Sequence, residues 1–225
     1  MPTAHYMMGG VEFRPDCSTA LSGLFAAGED TGGVHGANRL GGNGVANSTV
    51  YGGVAGEAMA AWVKAYGVLH EPDAEAIATT EAACRVPLTQ PTGDLEGVRQ
   101  ALYELMWDDV GIVRAAKGLV RARTTLSKLQ ARLDATGVDA SDLRYNLAWH
   151  DWMNLQNLIL VSRAICEAAL VRENSRGAHY REDFPDAGDL ATSTYSQVKA
   201  TGEGFSVSRQ PVKFTRVLPG KSLLD

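Results

Sequence analysis

The sequence has few cysteines and no excess of positive charge, and both scarcities narrow the classes of protein to consider. Its three cysteines, Cys17, Cys84 and Cys166, are widely spaced, so they form neither a CxxC pair nor a disulfide framework. The 225 residues carry a net charge of −5 with a pI near 5.6, which argues against a nucleic-acid partner. We therefore expect a reducing, cytoplasmic location and no bound nucleic acid.

Long apolar runs and well-known site motifs are also absent. The most apolar stretch, 155–171, is interrupted by polar and charged residues, which is typical of a buried helix rather than a membrane span. The first four residues lack the basic and apolar segments of a secretory signal, so we expect none. The sequence contains no P-loop, no GxGxxG within a βαβ unit and no zinc-ligand spacing, and we assign no metal site.

Composition divides the chain into regions. Residues 1–69 are rich in glycine and other small residues, whereas residues 94–185 contain a long stretch rich in leucine, alanine, arginine and glutamate. Prolines mark a linker over 70–93, and residues 186–225 show little periodicity. We expect a glycine-rich segment, a linker, a helical domain and an extended C-terminal tail, in that order. The dense motif at the very start indicates the C-terminal part of something larger.

Hydrophobic spacing predicts an α+β class that is mainly α. In the first region it indicates short strands at 11–13 and 24–27 and a helix over 44–65. It predicts a short helix over 73–84 in the linker, and helices over 94–109, 112–133 and 142–173 that form an antiparallel three-helix bundle. Ser141 or Asp142 is the expected cap of the last helix. A strand or an extended arm is predicted over 206–217.

One stretch carries most of the chemistry. An apolar run ends at Glu29, a glycine-dense loop bearing Arg39 follows, and a small-residue helix begins near Gly44. A glycine-preceded helix N-terminus suits an anion, and arginine binds a carboxylate or phosphate at two points. Glu29 is either a surface acid or an acceptor for a ribose hydroxyl. Arg39 either pairs with Glu29 or Asp30 to hold the loop, or clamps a ligand carboxylate.

Other polar residues also have two interpretations or a structural one. His5, followed by Tyr6 and a Gly-Gly pair, is either an exposed histidine or a hydrogen-bond donor to a carboxylate. His35 and Asn38 either contact a ligand or tie the loop to itself. The charged turn at 175–185 is best interpreted as a network that caps the long helix and docks the bundle on its neighbour.

Together these motifs resemble the flavoprotein subunit of succinate dehydrogenase and fumarate reductase, with the related L-aspartate oxidases sharing much of the pattern. The matching stretches are HYMMGG at 5–10, GLFAAGE at 23–29, HGANRLGGN at 35–43 and SRGAHYREDFP at 175–185. Their order and spacing fit, and the resemblance spans most of the chain.

The resemblance implies an FAD-dependent oxidoreductase that interconverts succinate and fumarate or a similar dicarboxylate. His5 would bind one substrate carboxylate and Arg39 the other end of the substrate. The residues implied for FAD are Glu29 at the ribose, Asn38, and the backbone of Gly44 and Val45 near the flavin. The implied partners are the N-terminal region of the FAD domain and an iron–sulfur subunit, with peripheral membrane association through such subunits. Apolar surface left exposed by the missing FAD domain would also favour a homo-oligomer.

The sequence also departs from the family. The loop from Glu29 to Arg39 is a residue shorter than usual, and Gly44 stands where the family has serine. The family's dinucleotide fold and its proton-donating arginine have no counterpart here, so no catalytic residue is assigned. We expect this chain alone to be inactive and to hold FAD weakly. The alternative is a non-catalytic helical domain that serves for interaction or docking.

Overall fold

The computed structural model describes residues 5–68, 70–202 and 204–221. Over these residues the chain has five α-helices, one short 3-10 helix and a two-stranded antiparallel sheet, which confirms the predicted mainly α, α+β class. The chain divides into two compact units. The first comprises the described residues of Met1–Glu71 together with Arg176–Ala178, and the second those of Pro72–Ser175 and His179–Asp225.

The first unit is built from glycine-rich loops and one helix, α1 (Asn43–Tyr66). The predicted strands at 11–13 and 24–27 are wrong, because each takes part in a single isolated bridge, Val11 with Thr31 and Ser18 with Phe25. One bridge gives no ladder, so these apolar runs stay irregular within the described residues. Helix α1 buries only Asn47 and Ala55 and leaves large apolar side chains exposed, namely Val45, Val50, Met59, Val63 and Tyr66.

The second unit is helical. It contains α2 (Ala74–Arg85), the 3-10 helix Val86–Leu88, α3 (Leu95–Asp109), α4 (Ala116–Asp134) and α5 (Leu147–Leu170). Helices α3, α4 and α5 pack on one another, as the spacing of their apolar residues predicts. The fully buried side chains of this core include Val98, Leu102, Leu119, Leu126, Leu133, Leu155 and Ile159. No helix of the described residues is long and apolar enough to span a bilayer.

Two helix starts differ from the prediction for physical reasons. Helix α4 begins at Ala116 rather than at 112, because Arg114 pairs as extended backbone with Arg181. Asp183 then caps the helix from far along the chain, its Oδ2 accepting the Ala116 N–H at 2.9 Å. Helix α5 begins later than expected because its cap is Asn146, whose Oδ1 accepts the Trp149 N–H at 3.0 Å.

The C-terminal region is more regular than an extended tail. Strands β1 (Thr194–Thr201) and β2 (Gly204–Pro211) form an antiparallel hairpin whose register places Val198 opposite Val207. The predicted strand at 206–217 therefore overlaps β2 only, and β1 was not predicted. The hairpin contacts α5, where the Arg163 guanidinium lies 5.4 Å from the centre of the Phe205 ring.

Candidate functional site

The segment at 5–8 is held in place by two contacts with the glycine-rich loop of the first unit. The Glu29 Oε1 atom accepts a hydrogen bond from the Met7 N–H at 3.0 Å. The Arg39 N–H donates to the Met8 Sδ atom at 3.2 Å. The segment that carries His5 therefore runs beside both Glu29 and Arg39, which lie ten residues apart in sequence.

Tyr6 lies at the centre of this arrangement. Its hydroxyl oxygen is 3.3 Å from the His35 Nε2 and 3.3 Å from the Asn47 Nδ2. The guanidinium carbon of Arg39 lies 4.5 Å from the centre of the Tyr6 ring. A Cβ atom added at Gly44 would stand 2.9 Å from the Tyr6 Cε2, so the ring packs directly against the first turn of α1. One aromatic side chain thus contacts the loop and the helix together.

Arg39 carries a charge that no carboxylate of the described residues neutralises. The structure does not show the alternative ion pair with Glu29 or Asp30. The Arg39 Nη1 donates to the Leu40 carbonyl at 3.2 Å, and the Nε is buried without a hydrogen-bond partner. A buried N–H donor without an acceptor costs free energy. An acceptor supplied by a ligand would therefore stabilise this side chain.

The start of α1 also has polar groups without a hydrogen-bond partner among the described residues. Its N-cap is Gly42, at a φ of 82°, and no side chain caps the helix. One turn into α1, Asn47 is 4% exposed, and its Nδ2 donates to the Gly28 carbonyl at 3.1 Å while its Oδ1 has no partner. An uncapped helix N-terminus beside an unpaired guanidinium favours a negatively charged ligand.

The remaining predicted site residues lie outside this network of contacts. His5, Asn38 and Val45 are exposed, and no side-chain hydrogen bond or ion pair joins them to other described residues. Tyr6 and Asn47 were missed by sequence reasoning, which named His35 without choosing its role. A usable signal did exist, since Asn47 follows Gly44 by three residues and so shares its helix face.

The charged turn at 175–185 serves the second unit mainly as a structural cap. Arg181 is 1% exposed, pairs with both carboxylate oxygens of Asp183 at 2.7 and 2.8 Å, and donates to the Ala169 and Leu170 carbonyls at the end of α5. This pairing, with the Arg181 hydrogen bond as its main cause, holds the pKa of Asp183 well below its usual range. The predicted helix-capping network is confirmed.

His179 belongs to the same network. Burial, reinforced by the nearby charges of Arg172, Arg114 and Arg181, lowers its pKa to about 4. Arg114 Nη1 lies 2.8 Å from the Nδ1, and the Nε2 lies 3.1 Å from the Arg172 carbonyl. Because a guanidinium only donates and a carbonyl only accepts, the neutral ring carries its proton on Nε2.

The middle of that turn belongs to the first unit. The Ala178 N–H donates to the Ala37 carbonyl at 3.0 Å. Gly177, at a φ of 57°, lies so close to the Ala37 backbone that a Cβ atom there would collide with it. Residues 176–178 therefore support the loop that carries His35 and Arg39.

Comparison with known proteins assigns the chain to a family. A model described as fumarate reductase flavoprotein C-term matches residues 99–223, more than half of the chain. The chain belongs to this family. A second model, described as an FAD binding domain, matches residues 1–45, which include Tyr6, Glu29 and Arg39. The resemblance drawn from the four motifs is thereby confirmed.

Relatives of the fumarate reductase flavoprotein family align with most of this chain. The 8-methylmenaquinol:fumarate reductase flavoprotein subunit of Wolinella succinogenes is 34% identical over 211 residues, covering 90% of this chain and 34% of that protein. The fumarate reductase flavoprotein subunit of Escherichia coli is 32% identical over 226 residues, covering 89% and 36%. The chain therefore spans about a third of the length of these relatives.

A solved structure, a quinol–fumarate reductase with menaquinol molecules, superposes with a TM-score of 0.86 at 30% identity, covering 96% of this chain and 39% of that one. FAD is a cofactor of the family. The residues of the first unit fit such a group: the uncapped N-terminus of α1 suits an anion, and the Oε2 of Glu29 receives no hydrogen bond from a described residue.

Proposed function

We propose that this chain is the C-terminal portion of an FAD-dependent oxidoreductase that interconverts succinate and fumarate or a similar dicarboxylate. Its role is to supply one wall of the substrate pocket and one edge of the flavin site. The names of the relatives support the reaction, since they are flavoprotein subunits of fumarate reductases.

The observation that carries the proposal is the state of Arg39. Its guanidinium has no carboxylate partner among the described residues, has a buried Nε without an acceptor, and stacks on Tyr6 beside the start of α1. Such a side chain holds a substrate carboxylate at two points and thereby fixes the substrate's orientation. His5 is the proposed second anchor, because it precedes Tyr6 directly and its ring is exposed to a ligand.

The cofactor assignments follow the same geometry. Glu29 accepts a ribose hydroxyl through the oxygen that Met7 leaves available. Asn38 and the backbone N–H groups of Gly44 and Val45 would hold the flavin, because the positive end of the α1 dipole favours negative charge. When bound, FAD supplies the hydride acceptor or donor for the substrate carbon.

Partners are proposed from the exposed apolar surface of α1. Val45, Val50 and Val63 are each more than half exposed, on a helix that consists mostly of small and apolar residues. The rest of the FAD-binding domain is the proposed cover for this face. The relatives are subunits of larger assemblies. An iron–sulfur subunit is the proposed electron-transfer partner, in the cytoplasm or at its membrane face, and a homo-oligomer is the lesser alternative.

The test uses this chain assembled with the remaining part of the FAD-binding domain, supplied in trans or in one reading frame. We expect the assembled protein to hold FAD and to reduce fumarate with a reduced dye. Arg39→Gln should keep FAD but lower kcat/KM for fumarate by roughly 100-fold, because a charge-assisted, two-point contact is lost. The matched control is Arg144→Gln, whose side chain is exposed in the helical unit.

Two outcomes would contradict the proposal. If Arg39→Gln and Arg144→Gln reduce fumarate equally well, Arg39 does not bind the substrate. If the assembled protein never holds FAD, the chain is a non-catalytic interaction domain, the alternative that its exposed apolar helix favours.

A further inference from the structure

Arg39 is held by an aromatic ring rather than by an acid. Its guanidinium carbon lies 4.5 Å from the centre of the Tyr6 ring, and its side chain donates otherwise only to the Leu40 carbonyl among the described residues. A ring face attracts a cation without occupying its N–H groups, so the guanidinium stays free to donate to a ligand. A carboxylate in the same place would compete with that ligand.

The Tyr6 ring is itself fixed through its hydroxyl. The Gly28 carbonyl, which can only accept, settles the orientation of the Asn47 amide and places its Nδ2 toward Tyr6 and His35. The amide then has one further proton to donate. It goes to the Tyr6 hydroxyl at 3.3 Å, which in turn donates its own proton to the single lone pair of an unprotonated His35 Nε2, also at 3.3 Å.

The edge of the ring is constrained as well. His35 meets it edge-to-face, with ring centres 5.3 Å apart at 84°. On the α1 side Gly44 alone leaves the space, since a Cβ there would be 2.9 Å from Cε2. Face, edge and hydroxyl of Tyr6 therefore each contact a defined neighbour.

We propose that Tyr6 is the positioning residue of this anion site, with its ring orienting Arg39 and with Asn47 and His35 locking the ring through the phenol hydroxyl. This inference rests on the proposed function for the identity of the anion, a dicarboxylate. It assigns roles to three residues that the motifs did not: Tyr6 holds the arginine, and Asn47 and His35 hold Tyr6.

The test compares Tyr6→Leu, which removes the ring, with Tyr6→Phe, which removes only the hydroxyl, in the flavoprotein assembled from this chain and the rest of the FAD-binding domain. The probe is malonate, a dicarboxylate that cannot be reduced as fumarate is, and its binding is measured by calorimetry. We expect Tyr6→Leu to weaken malonate binding roughly 10-fold and Tyr6→Phe roughly 3-fold. The KM for fumarate should rise in parallel, with kcat changed by less than about 2-fold and FAD content unchanged.

The control is Tyr103→Leu, a half-exposed tyrosine on α3, which should bind malonate like the wild type. Malonate binding by Tyr6→Leu within about 2-fold of wild type would overturn the inference. So would equal losses in Tyr6→Phe and Tyr6→Leu, because the ring would then contribute nothing. A wild-type protein that binds malonate but does not reduce fumarate would contradict the proposed function alone, whereas one that does not bind malonate would contradict the inference too.

Discussion

The helical unit buries a continuous set of leucines, whereas the few residues that the first unit buries are polar or small. In the helical unit Leu119, Leu126 and Leu133 are fully buried along one face of α4. Over its described residues, 5–68, 70–71 and 176–178, the first unit buries Cys17, Thr19, Gly28, Thr31, Asn47 and Ala55. Since apolar burial is the main stabilising term, one unit is built for stability and the other for presenting hydrogen-bonding groups.

The largest expected difference in stability between the two units comes from truncating one leucine in each. Leu126→Ala should lower the free energy of unfolding of this chain by about 3 kcal/mol, because it leaves a cavity in a closed core. Leu40→Ala, at a side chain that is 72% exposed, should cost less than about 0.5 kcal/mol. Urea unfolding followed by far-UV circular dichroism measures both, and equal costs would show that the first unit has a core of its own.

The pH dependence of stability is a second property expected to originate in the helical unit, because that unit contains the buried His179. Its pKa is about 4 in the folded chain and about 6.5 when unfolded, so between these values the unfolded chain binds a proton that the folded chain does not. The free energy of unfolding should therefore fall by on the order of 2 kcal/mol as pH drops from 6.5 to 4. His179→Gln should flatten this slope in urea titrations, and an unchanged slope would assign it to other groups.

The smallest expected effect concerns the loops of the first unit. Gly36 and Gly177 have nearly the same φ, 58° and 57°, but only Gly177 is crowded, by the Ala37 backbone. Gly36→Ala should cost about 1 kcal/mol for the left-handed backbone alone. Gly177→Ala should cost about 1 kcal/mol more, since Ala37 must move. Amide hydrogen exchange in loop 35–39 measures the difference, and equal protection in the two variants would show that residues 176–178 do not support this loop.

Much of the helical unit could be predicted from sequence because its signal is local. The 3.6-residue spacing of apolar side chains predicted α3, most of α4 and the buried face of α5. The start of α4 could not be predicted, because it depends on Arg114 pairing with Arg181 and on capping by Asp183, both remote in sequence. The prediction of strands at 11–13 and 24–27 was wrong, because an apolar run becomes a strand only where a neighbouring segment pairs with it along its length.

The charged residues of the candidate site could be predicted from the sequence, but the residues that hold them in position could not. Glu29 and Arg39 stand out as an acid and an arginine on either side of a glycine-rich loop. Tyr6 and Asn47 do not, because an aromatic residue or a helical asparagine has no distinctive chemistry until its neighbours are known. Only the three-dimensional contacts show that the Tyr6 ring holds Arg39.

The carboxylate that completes the first turn of α4 has a consequence for how the protein is made. Asp183 is 67 positions beyond Ala116, the residue whose N–H it accepts. During synthesis on a ribosome, the body of α4 emerges and coils well before Asp183 has been added. The beginning of that helix therefore becomes fixed only when most of the second unit is outside the exit tunnel, so the closure of its first turn is a late event in synthesis.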